Sequence, residues 1–187
     1  MDDPPEQYLT GFDSTFWSLP PLILFFLLCS AMFSAGETAY FSLTKAQIDL
    51  LRTSASAGHR RILRHLSDPR RLLANLLIGN NVVNLTIILL FYFMFFKVLD
   101  FGPYPWIPAV LQTFVVTALI VFVGEVIPKV YASRNPLSVA LWFSMPLQIS
   151  ELIFRPIIWV LINSTGLLDR WIVRKQTQLS KDEINQA

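Results

Sequence analysis

Long apolar runs separated by short polar segments dominate this sequence of 187 residues. A helix needs about 20 mostly apolar residues to cross the hydrocarbon core of a bilayer. Three runs reach that length, at residues 17–43, 72–96 and 106–127. The pattern therefore predicts three membrane-spanning helices in an all-α membrane protein.

Basic residues beside these runs predict the orientation of the chain. The segment between the first two runs carries seven of them: Lys45, Arg52, Arg60, Arg61, Arg64, Arg70 and Arg71. Lys129 and Arg134 follow the third run, and the end of the chain is basic again. Lys and Arg are concentrated in cytoplasmic loops. We therefore expect a multi-pass protein of the plasma membrane, with residues 1–16 outside the cell and residues 169–187 in the cytoplasm.

A fourth apolar stretch, residues 137–168, is interrupted by two prolines and two charges. One crossing would leave the basic end of the chain outside, and about 32 residues are too few for two full crossings. We therefore expect a helical hairpin of two short helices that re-enter the membrane or lie along its cytoplasmic face. Pro146 and Pro156 would interrupt the helix, and Glu151 and Arg155 are predicted to pair because they are four residues apart.

The polar segment between the first two spans predicts short helices at the membrane surface. Ser67 or Asp68 is expected to cap the start of the second span, with Pro69 in its first turn. His59 and His65 also lie in this segment, and we expect both at the surface. The last ten residues are typical of a polar helix that has just begun, so we expect the natural polypeptide to continue.

The composition agrees with a membrane protein, because 53% of the residues are hydrophobic and only 15% are charged. Soluble domains usually have about 25% charged residues. A single cysteine, Cys29, excludes an internal disulfide framework. The first 16 residues lack Lys and Arg, so a cleaved signal peptide is not expected. We expect the partners to be the lipid bilayer and other protein chains, and we expect no nucleic acid partner.

The first span contains polar residues that a lipid-facing helix would not carry. Ser30, Ser34, Thr38 and Ser42 recur every four residues, with Glu37 beside them. Small residues at this spacing let helices approach closely, so one interpretation of the stripe is a packing seam. A charge is costly at the bilayer centre, so the plain alternative for Glu37 is a solvated or ion-paired position near the cytoplasmic end.

The second span contains Gly79, Asn80, Asn81 and Asn84. Asn80 and Asn84 are four residues apart and therefore share one face of the helix. Asparagine can join helices by hydrogen bonds, but three carboxamides at similar depth are more than packing usually requires. We expect these side chains to face a cavity or a partner helix rather than lipid.

The third span ends in the segment VGEVIPK, residues 123–129. Pro128 has no amide hydrogen, so it leaves the carbonyl of Gly124 without its helical partner. Glu125 would then stand beside a free backbone oxygen, and broken membrane helices of this kind coordinate cations in transporters. The alternative is a helix that ends at the proline, with Glu125 in water.

The three clusters together offer hydroxyl, carboxamide, carbonyl and carboxylate oxygens, without His or Cys. Such a set suits a hard cation, namely Mg²⁺, Ca²⁺ or Mn²⁺, and Na⁺ is also chemically compatible. Neither a Ser/His pair nor a His-rich metal motif lies within the spans. An intramembrane enzyme is therefore disfavoured.

The segments FSAGETAYFSLTK, LLANLLIGNNVVN and GEVIPK follow one another in this order. In sequence and spacing they resemble the transmembrane domain of the CNNM/CorC family of magnesium transporters, whose prokaryotic members are called CorB or CorC. The resemblance covers roughly residues 22–168. One departure is Ala35, which stands where the family pattern has a glycine.

The resemblance implies a homodimer formed through the transmembrane domain, with three spans and a cytoplasmic helical belt in each subunit. It also implies a Mg²⁺ site made of residues from all three spans: Ser34, Asn80, Asn84, Gly124 and Glu125. Five further residues are candidates for supporting contacts or for a coupling ion: Ser30, Glu37, Thr38, Asn81 and Pro128. Finally, it implies a cytosolic CBS-pair module that binds Mg-ATP, regulates transport and is missing from this sequence.

Two functions remain open at this point. The leading hypothesis is a transporter that exports Mg²⁺ across the cell membrane by alternating access, with sodium entry as the candidate coupled step. The other is a membrane-embedded Mg²⁺ sensor that regulates a separate transporter. Both would use the same ion site, so the sequence does not separate them.

Overall fold

The computed structural model describes residues 14–53, 56–98 and 106–164, and the regular structure within these ranges is entirely helical. The elements are helices α1 (Ser14–Phe41), α2 (Lys45–Thr53), α3 (Ala57–Ser67), α4 (Pro69–Val98) and α5 (Trp106–Leu119), a π-helical segment (Ile120–Val126), and helices α6 (Ile127–Arg134), α7 (Pro136–Ile153) and α8 (Arg155–Ser164). The predicted all-α membrane fold is confirmed. Most of the predicted outer tail, and the whole predicted cytoplasmic end, lie outside the described residues.

Three helical stretches are long and apolar enough to cross a membrane: Trp17–Phe41, Pro69–Met94 and Ala109–Arg134. They match the three predicted spans, except that the third continues to Arg134 instead of ending near Ile127. Pro128 does not end this helix, because it lies in the first turn of α6, where a missing amide hydrogen is well tolerated. The amide of Ile127 donates to the carbonyl of Phe122, five residues earlier, which is the bond pattern of a π-helix.

Helices α7 and α8 form the predicted pair of short helices, and their axes are bent by 77°. The chain leaves helical conformation at Phe154, because Pro156 cannot donate to the carbonyl of Leu152. Pro146 was also expected to interrupt the helix, but it lies inside α7 without ending it. The hairpin therefore has a single break, set by the second proline. Residues 165–168 of the predicted hairpin lie outside the described ranges.

The predicted ion pair between Glu151 and Arg155 in this hairpin is wrong. The carboxylate of Glu151 lies 2.6 Å from Nε of Arg71 at the start of α4, and it is not paired with Arg155. The helix breaks between Glu151 and Arg155, so the regular spacing that would have aligned the two side chains is lost. The ion pair joins α7 to α4 instead of stabilising one helix.

Helices α2 and α3 are the predicted polar helices between the first two spans. Oδ1 of Asp68 accepts the amide hydrogen of Arg71 at 3.1 Å, and Pro69 opens α4, so the predicted cap is confirmed. His65 was expected at the surface, but it is only 5% exposed. Its ring packs edge-on against Tyr40, and its Nε2 lies 3.3 Å from the carbonyl of Ser144. This histidine therefore belongs to the interior.

Helix α1 packs against α4, the third span and α7, and two glycines allow this close approach. A Cβ at Gly79 would overlap the ring of Phe33, and a Cβ at Gly36 would overlap the ring of Phe143. The two rings meet edge to face, with centroids 5.4 Å apart. This packing brings the polar stripe of α1 against the polar residues of the other spans.

The outer surface of the spans is apolar. Leu24 and Phe25 on α1, Phe93 on α4 and Phe114 on α5 are all more than half exposed. A soluble protein rarely exposes apolar side chains over such an area, whereas lipid contact requires them. The chain is therefore located in a membrane.

Candidate functional site

Five of the predicted site residues converge where α1, α4 and the π-helical segment meet: Ser30, Ser34, Asn84, Gly124 and Glu125. Both serines and Gly124 are buried, and Asn84 and Glu125 are half-buried. Each of the three membrane spans contributes at least one polar group. The site is therefore made by packing of the spans and not by any one helix.

Hydrogen bonds link these side chains into a continuous chain. Oγ of Ser30 donates to Oδ1 of Asn84 at 2.6 Å. Nδ2 of the same asparagine donates to Oε1 of Glu125 at 3.3 Å. The Asn84 carboxamide thus connects the first span to the carboxylate of the third. Because both ends of the amide are used, its orientation is fixed by its partners.

Ser34 contacts the third span through its backbone. Its Oγ donates to the main-chain carbonyl of Glu125 at 3.3 Å. Sequence reasoning singled out the carbonyl of Gly124 and missed this one. The signal that could have revealed it is the four-residue spacing of Ser30 and Ser34, which aligns two hydroxyls with successive positions of the facing helix.

Gly124 allows α1 to approach the third span closely. A Cβ at this position would lie 2.8 Å from Oγ of Ser30, closer than real Cβ atoms come to an oxygen. Any larger residue would therefore push Ser30 away from Asn84. Close packing of the two helices therefore requires a glycine here, in addition to its predicted role as a carbonyl ligand.

The π-helical segment explains why the third span keeps one side towards α1. Its buried positions, Gln112, Val116, Ile120 and Gly124, are four residues apart. In a regular α-helix, each step of four residues rotates by about 40° beyond a full turn, so such a stripe drifts around the helix. The wider π turn removes part of this drift, and such turns are frequent at functional sites. Gly124 and Glu125 therefore stay directed at α1.

The three asparagines of α4 are separated by the structure. Oδ1 of Asn80 is buried without a hydrogen-bond partner in the described part of the chain. Asn81 is exposed, and its Nδ2 donates to the carbonyl of Leu77 in its own helix at 2.7 Å. Asn80 and Asn84 therefore keep their predicted common face, and Asn81 lies away from the site. An unpartnered buried carbonyl oxygen on this face is a vacant acceptor for a hydrogen-bond donor or a cation.

The remaining predicted residues lie beside the site. Oε2 of Glu37 lies 3.0 Å from Nζ of Lys129, and both side chains are about 40% exposed; this matches the ion-paired alternative expected for Glu37. Thr38 is half-buried on α1, four residues beyond Ser34. Pro128 is half-buried four residues beyond Gly124. These residues therefore border the site without joining its hydrogen-bond chain.

The site has little formal charge. Across the described ranges, no three His, Cys, Asp or Glu side chains come close enough to hold a metal ion together. A cation here would meet one carboxylate, that of Glu125, and neutral hydroxyl, carboxamide and carbonyl oxygens. Mg²⁺ is commonly held by one or two carboxylates while it keeps several waters, so this donor set fits a hard, partly hydrated cation.

Comparison with known proteins decides the family. Residues 21–187 match the family described as the Cyclin M transmembrane N-terminal domain, CNNM. The chain belongs to the CNNM family. The match includes all five converging residues, the whole second and third spans, and the first span from residue 21 onwards. The CNNM family is associated with divalent cation transport or a related function, which agrees with the donor set described above.

Two bacterial relatives extend the comparison of this CNNM domain. The chain is 28% identical to the UPF0053 inner membrane protein YfjD of Escherichia coli (strain K12) over 160 residues, which are 83% of this chain and 36% of that protein. It is 26% identical over 140 residues to a UPF0053 protein of Haemophilus influenzae (strain ATCC 51907 / DSM 11121 / KW20 / Rd), covering 75% of this chain and 32% of the relative. The chain thus spans about a third of the length of these relatives.

Proposed function

We propose that this chain is the membrane domain of a Mg²⁺ transporter that exports the ion by alternating access. The observation that carries the proposal is the convergence of polar groups from all three spans around Glu125, whose carboxylate accepts from Asn84 and whose main-chain carbonyl accepts from Ser34. A packing seam needs no carboxylate, and an ionised group within a membrane is costly unless it has a partner. A transported cation supplies that partner.

Each residue has a separate role in this mechanism. The carboxylate of Glu125 supplies the negative charge. The side-chain oxygens of Ser34, Asn80 and Asn84 and the carbonyl of Gly124 supply neutral ligands. The hydroxyl of Ser30 supports the site from behind Asn84. Because Ser30, Asn84 and Glu125 also bond to one another, each keeps a hydrogen-bond partner when an ion leaves, which favours release as well as binding.

The wider function is part of the same proposal. We propose that the first 16 residues face the exterior and that the cytoplasm lies on the side of α2 and α3, where basic residues are concentrated. Sodium entry is the candidate coupled step, with Glu37 and Thr38 beside the path. The chain acts as a homodimer through its membrane domain, and a cytosolic CBS-pair module regulates it in the whole protein.

Binding tests the site directly. We expect Glu125→Ala to abolish Mg²⁺ binding, measured by calorimetric titration of the purified chain in detergent, and Asn84→Ala to weaken it strongly. The matched control is Asn81→Ala, which removes an identical side chain from the same helix but not from the site. Unchanged affinity in Glu125→Ala, or equal losses in the two asparagine variants, would contradict the ligand assignment.

Flux tests the transport step. Proteoliposomes with a trapped Mg²⁺-sensitive dye should report Mg²⁺ movement for the unaltered chain and for Asn81→Ala, and none for Glu125→Ala. Binding without flux, in this chain and in the full-length protein, would favour the sensor over the transporter. Binding and flux that both survive Glu125→Ala would overturn the proposed site as well.

A further inference from the structure

Four arginines converge on a cavity that lies apart from the cation site. The cavity has a volume of about 350 Å³ and lies where α3, α4, α7 and α8 meet. Its wall contains Arg61 and Arg64 from α3, Arg71 from α4 and Arg155 from α8. We call it the arginine cavity. Since its arginines come from three helices, folding creates the cluster, and it is more than the solvated face of one basic helix.

The arginine cavity contains little negative charge. Glu151 is the acid in its wall, and its carboxylate is already in an ion pair with Arg71, although the two are not aligned as a good hydrogen bond. Arg61, Arg64 and Arg155 form no ion pair with any residue in the described ranges. In addition, Nε of Arg61 is buried and has no hydrogen-bond partner there. Buried donors without acceptors are costly, so an anion bound in the cavity would be stabilised by Nε of Arg61.

One wall of the arginine cavity is apolar. Met145, Ile149 and Leu152 on α7 line it, and each is more than half exposed. Helices α7 and α8 together are apolar enough for a membrane location, and Arg71 lies at the beginning of the span Pro69–Met94. The cavity is therefore at the membrane boundary, with cations towards the water and apolar side chains towards lipid.

We propose that the arginine cavity binds a phosphate group, and that its apolar wall selects the phosphate of an anionic phospholipid. The planar guanidinium group matches two phosphate oxygens at once. Basic pockets between helices at a membrane surface bind lipid head groups in this way. In the orientation proposed above, the cavity opens to the cytoplasmic leaflet. This binding is independent of the cation site, so either proposal can fail without the other.

Lipid titration followed by native mass spectrometry tests the proposal on the purified chain in a neutral detergent. We expect dioleoyl phosphatidylglycerol to remain bound in clear preference to dioleoyl phosphatidylcholine. The double variant Arg64→Gln/Arg155→Gln should lower the affinity for phosphatidylglycerol about tenfold or more, as expected for the loss of charge-assisted hydrogen bonds. Neither arginine is in an ion pair within the described residues, so the change leaves the Arg71–Glu151 contact in place.

The matched control is Arg60→Gln/Arg70→Gln. These two arginines are exposed, lie on α3 and α4, and do not line the cavity, so the control loses the same charge without touching the site. Equal losses in the two double variants would mean that only diffuse charge attracts the lipid, which would overturn the proposal. Circular dichroism and gel filtration establish that both variants fold.

Inorganic phosphate distinguishes the two sources of the phosphate group. Phosphate that competes with phosphatidylglycerol, together with a preference for this lipid over phosphatidylcholine, assigns the cavity to a lipid head group. Phosphate binding that is lost in Arg64→Gln/Arg155→Gln, without any lipid preference, assigns it to a free phosphate. If the unaltered chain binds neither phosphate nor phosphatidylglycerol preferentially, the proposal is wrong, whatever the variants do.

Discussion

Glu125 illustrates at the scale of one residue why packing alone does not explain the site. On membrane-insertion scales, an ionised side chain at the centre of a span costs roughly 2.5–3.5 kcal/mol. Its side chain accepts one hydrogen bond, from the neutral amide of Asn84, and such a bond contributes only about 0.5–1.5 kcal/mol. The bond offsets part of the cost and no more. A bound cation would supply the remainder, which is the physical reason for proposing that the residue binds an ion.

Gly36 gives a stability prediction at the same scale. A Cβ at this position would overlap the ring of Phe143, which is buried and held edge-on by Phe33, so the ring has no room to move away. We expect Gly36→Ala to destabilise the chain by about 1–3 kcal/mol, the usual effect of overpacking a core. Thermal unfolding in detergent, followed by tryptophan fluorescence, measures the loss.

Gly58 is the matched control for this substitution. A Cβ here would come within 3.2 Å of the end of the Leu141 side chain, which is flexible and can move, and would lie at an ordinary contact distance of 3.8 Å from Oγ of Ser56. Because alanine favours helix over glycine by roughly 1 kcal/mol, Gly58→Ala should leave stability unchanged or raise it. The double variant Gly36→Ala/Phe143→Leu should recover most of the loss. Similar melting temperatures for the two glycine variants would contradict the proposed crowding.

The residues of the candidate cation site show how much of it could be predicted from sequence. The convergence of Ser34, Asn84 and Glu125 was predictable, because polar groups in membrane-spanning helices generally face the interior of the helix bundle. The outward position of Asn81 was not, since three neighbouring asparagines look alike until the rotation of α4 is known. The contact of Ser34 with the backbone carbonyl of Glu125 depends on the depth at which two helices meet, which no local pattern encodes.

At the scale of the helices, the sequence predicted the number and type of helices better than the residues at which they end or break. The three spans and the short helical pair follow from apolar length alone. Pro128 and Pro146 were poor guides, because proline ends a helix only where no neighbouring geometry replaces the lost bond. The π turn before Pro128 is a geometry that lets the helix continue through the proline. The π turn was not predicted, although the four-residue spacing of the buried positions from Gln112 to Gly124 indicates it.

Helices α3 and α7 are joined by His65. Its Nε2 must carry the hydrogen, because the carbonyl of Ser144 can only accept, and its Nδ1 lies 3.5 Å from Oε2 of Glu151. The other titratable or charged groups around the ring are Tyr40 from α1, Arg61 and Arg64 from α3, and Arg71 from α4, which acts through Glu151. Burial lowers the pKa of His65, and the Ser144 carbonyl and Glu151 oppose this shift.

This pKa shift predicts how the packing of α3 on α7 depends on pH. A histidine has a pKa of about 6.5 when unfolded, so between that value and the lower folded pKa the unfolded chain binds more protons. The free energy of unfolding therefore falls as the pH drops through this window, and the full stability is present above it. We expect a lower melting temperature at about pH 5.5 than at about pH 7.5, and a smaller difference in His65→Gln. Equal differences would show that other groups set the pH dependence.

At the scale of the whole molecule, orientation connects the two proposed sites. Basic residues are concentrated in α2, α3 and the start of α4, and the orientation proposed above, which follows the positive-inside rule, puts this side in the cytoplasm. In that orientation the arginine cavity would face the cytoplasmic leaflet, and the proposed cation site would lie between that side and the exterior. If the chain were inserted the other way, the same residues would face a surface with little anionic lipid, and export would become import.

Cysteine labelling in intact cells tests this orientation. In a Cys29→Ser background, Ser67→Cys places a thiol on the exposed end of α3, and Asp100→Cys places one between the second and third spans. An impermeant maleimide should label Asp100→Cys and not Ser67→Cys, because the span Pro69–Met94 separates the two positions along the chain and the proposed orientation puts Ser67 in the cytoplasm. Both should react once the cells are permeabilised, which shows that each thiol is accessible. If Ser67→Cys alone were labelled in intact cells, the proposed orientation would be wrong. The proposed direction of transport, and the leaflet that the arginine cavity is proposed to contact, would then be reversed.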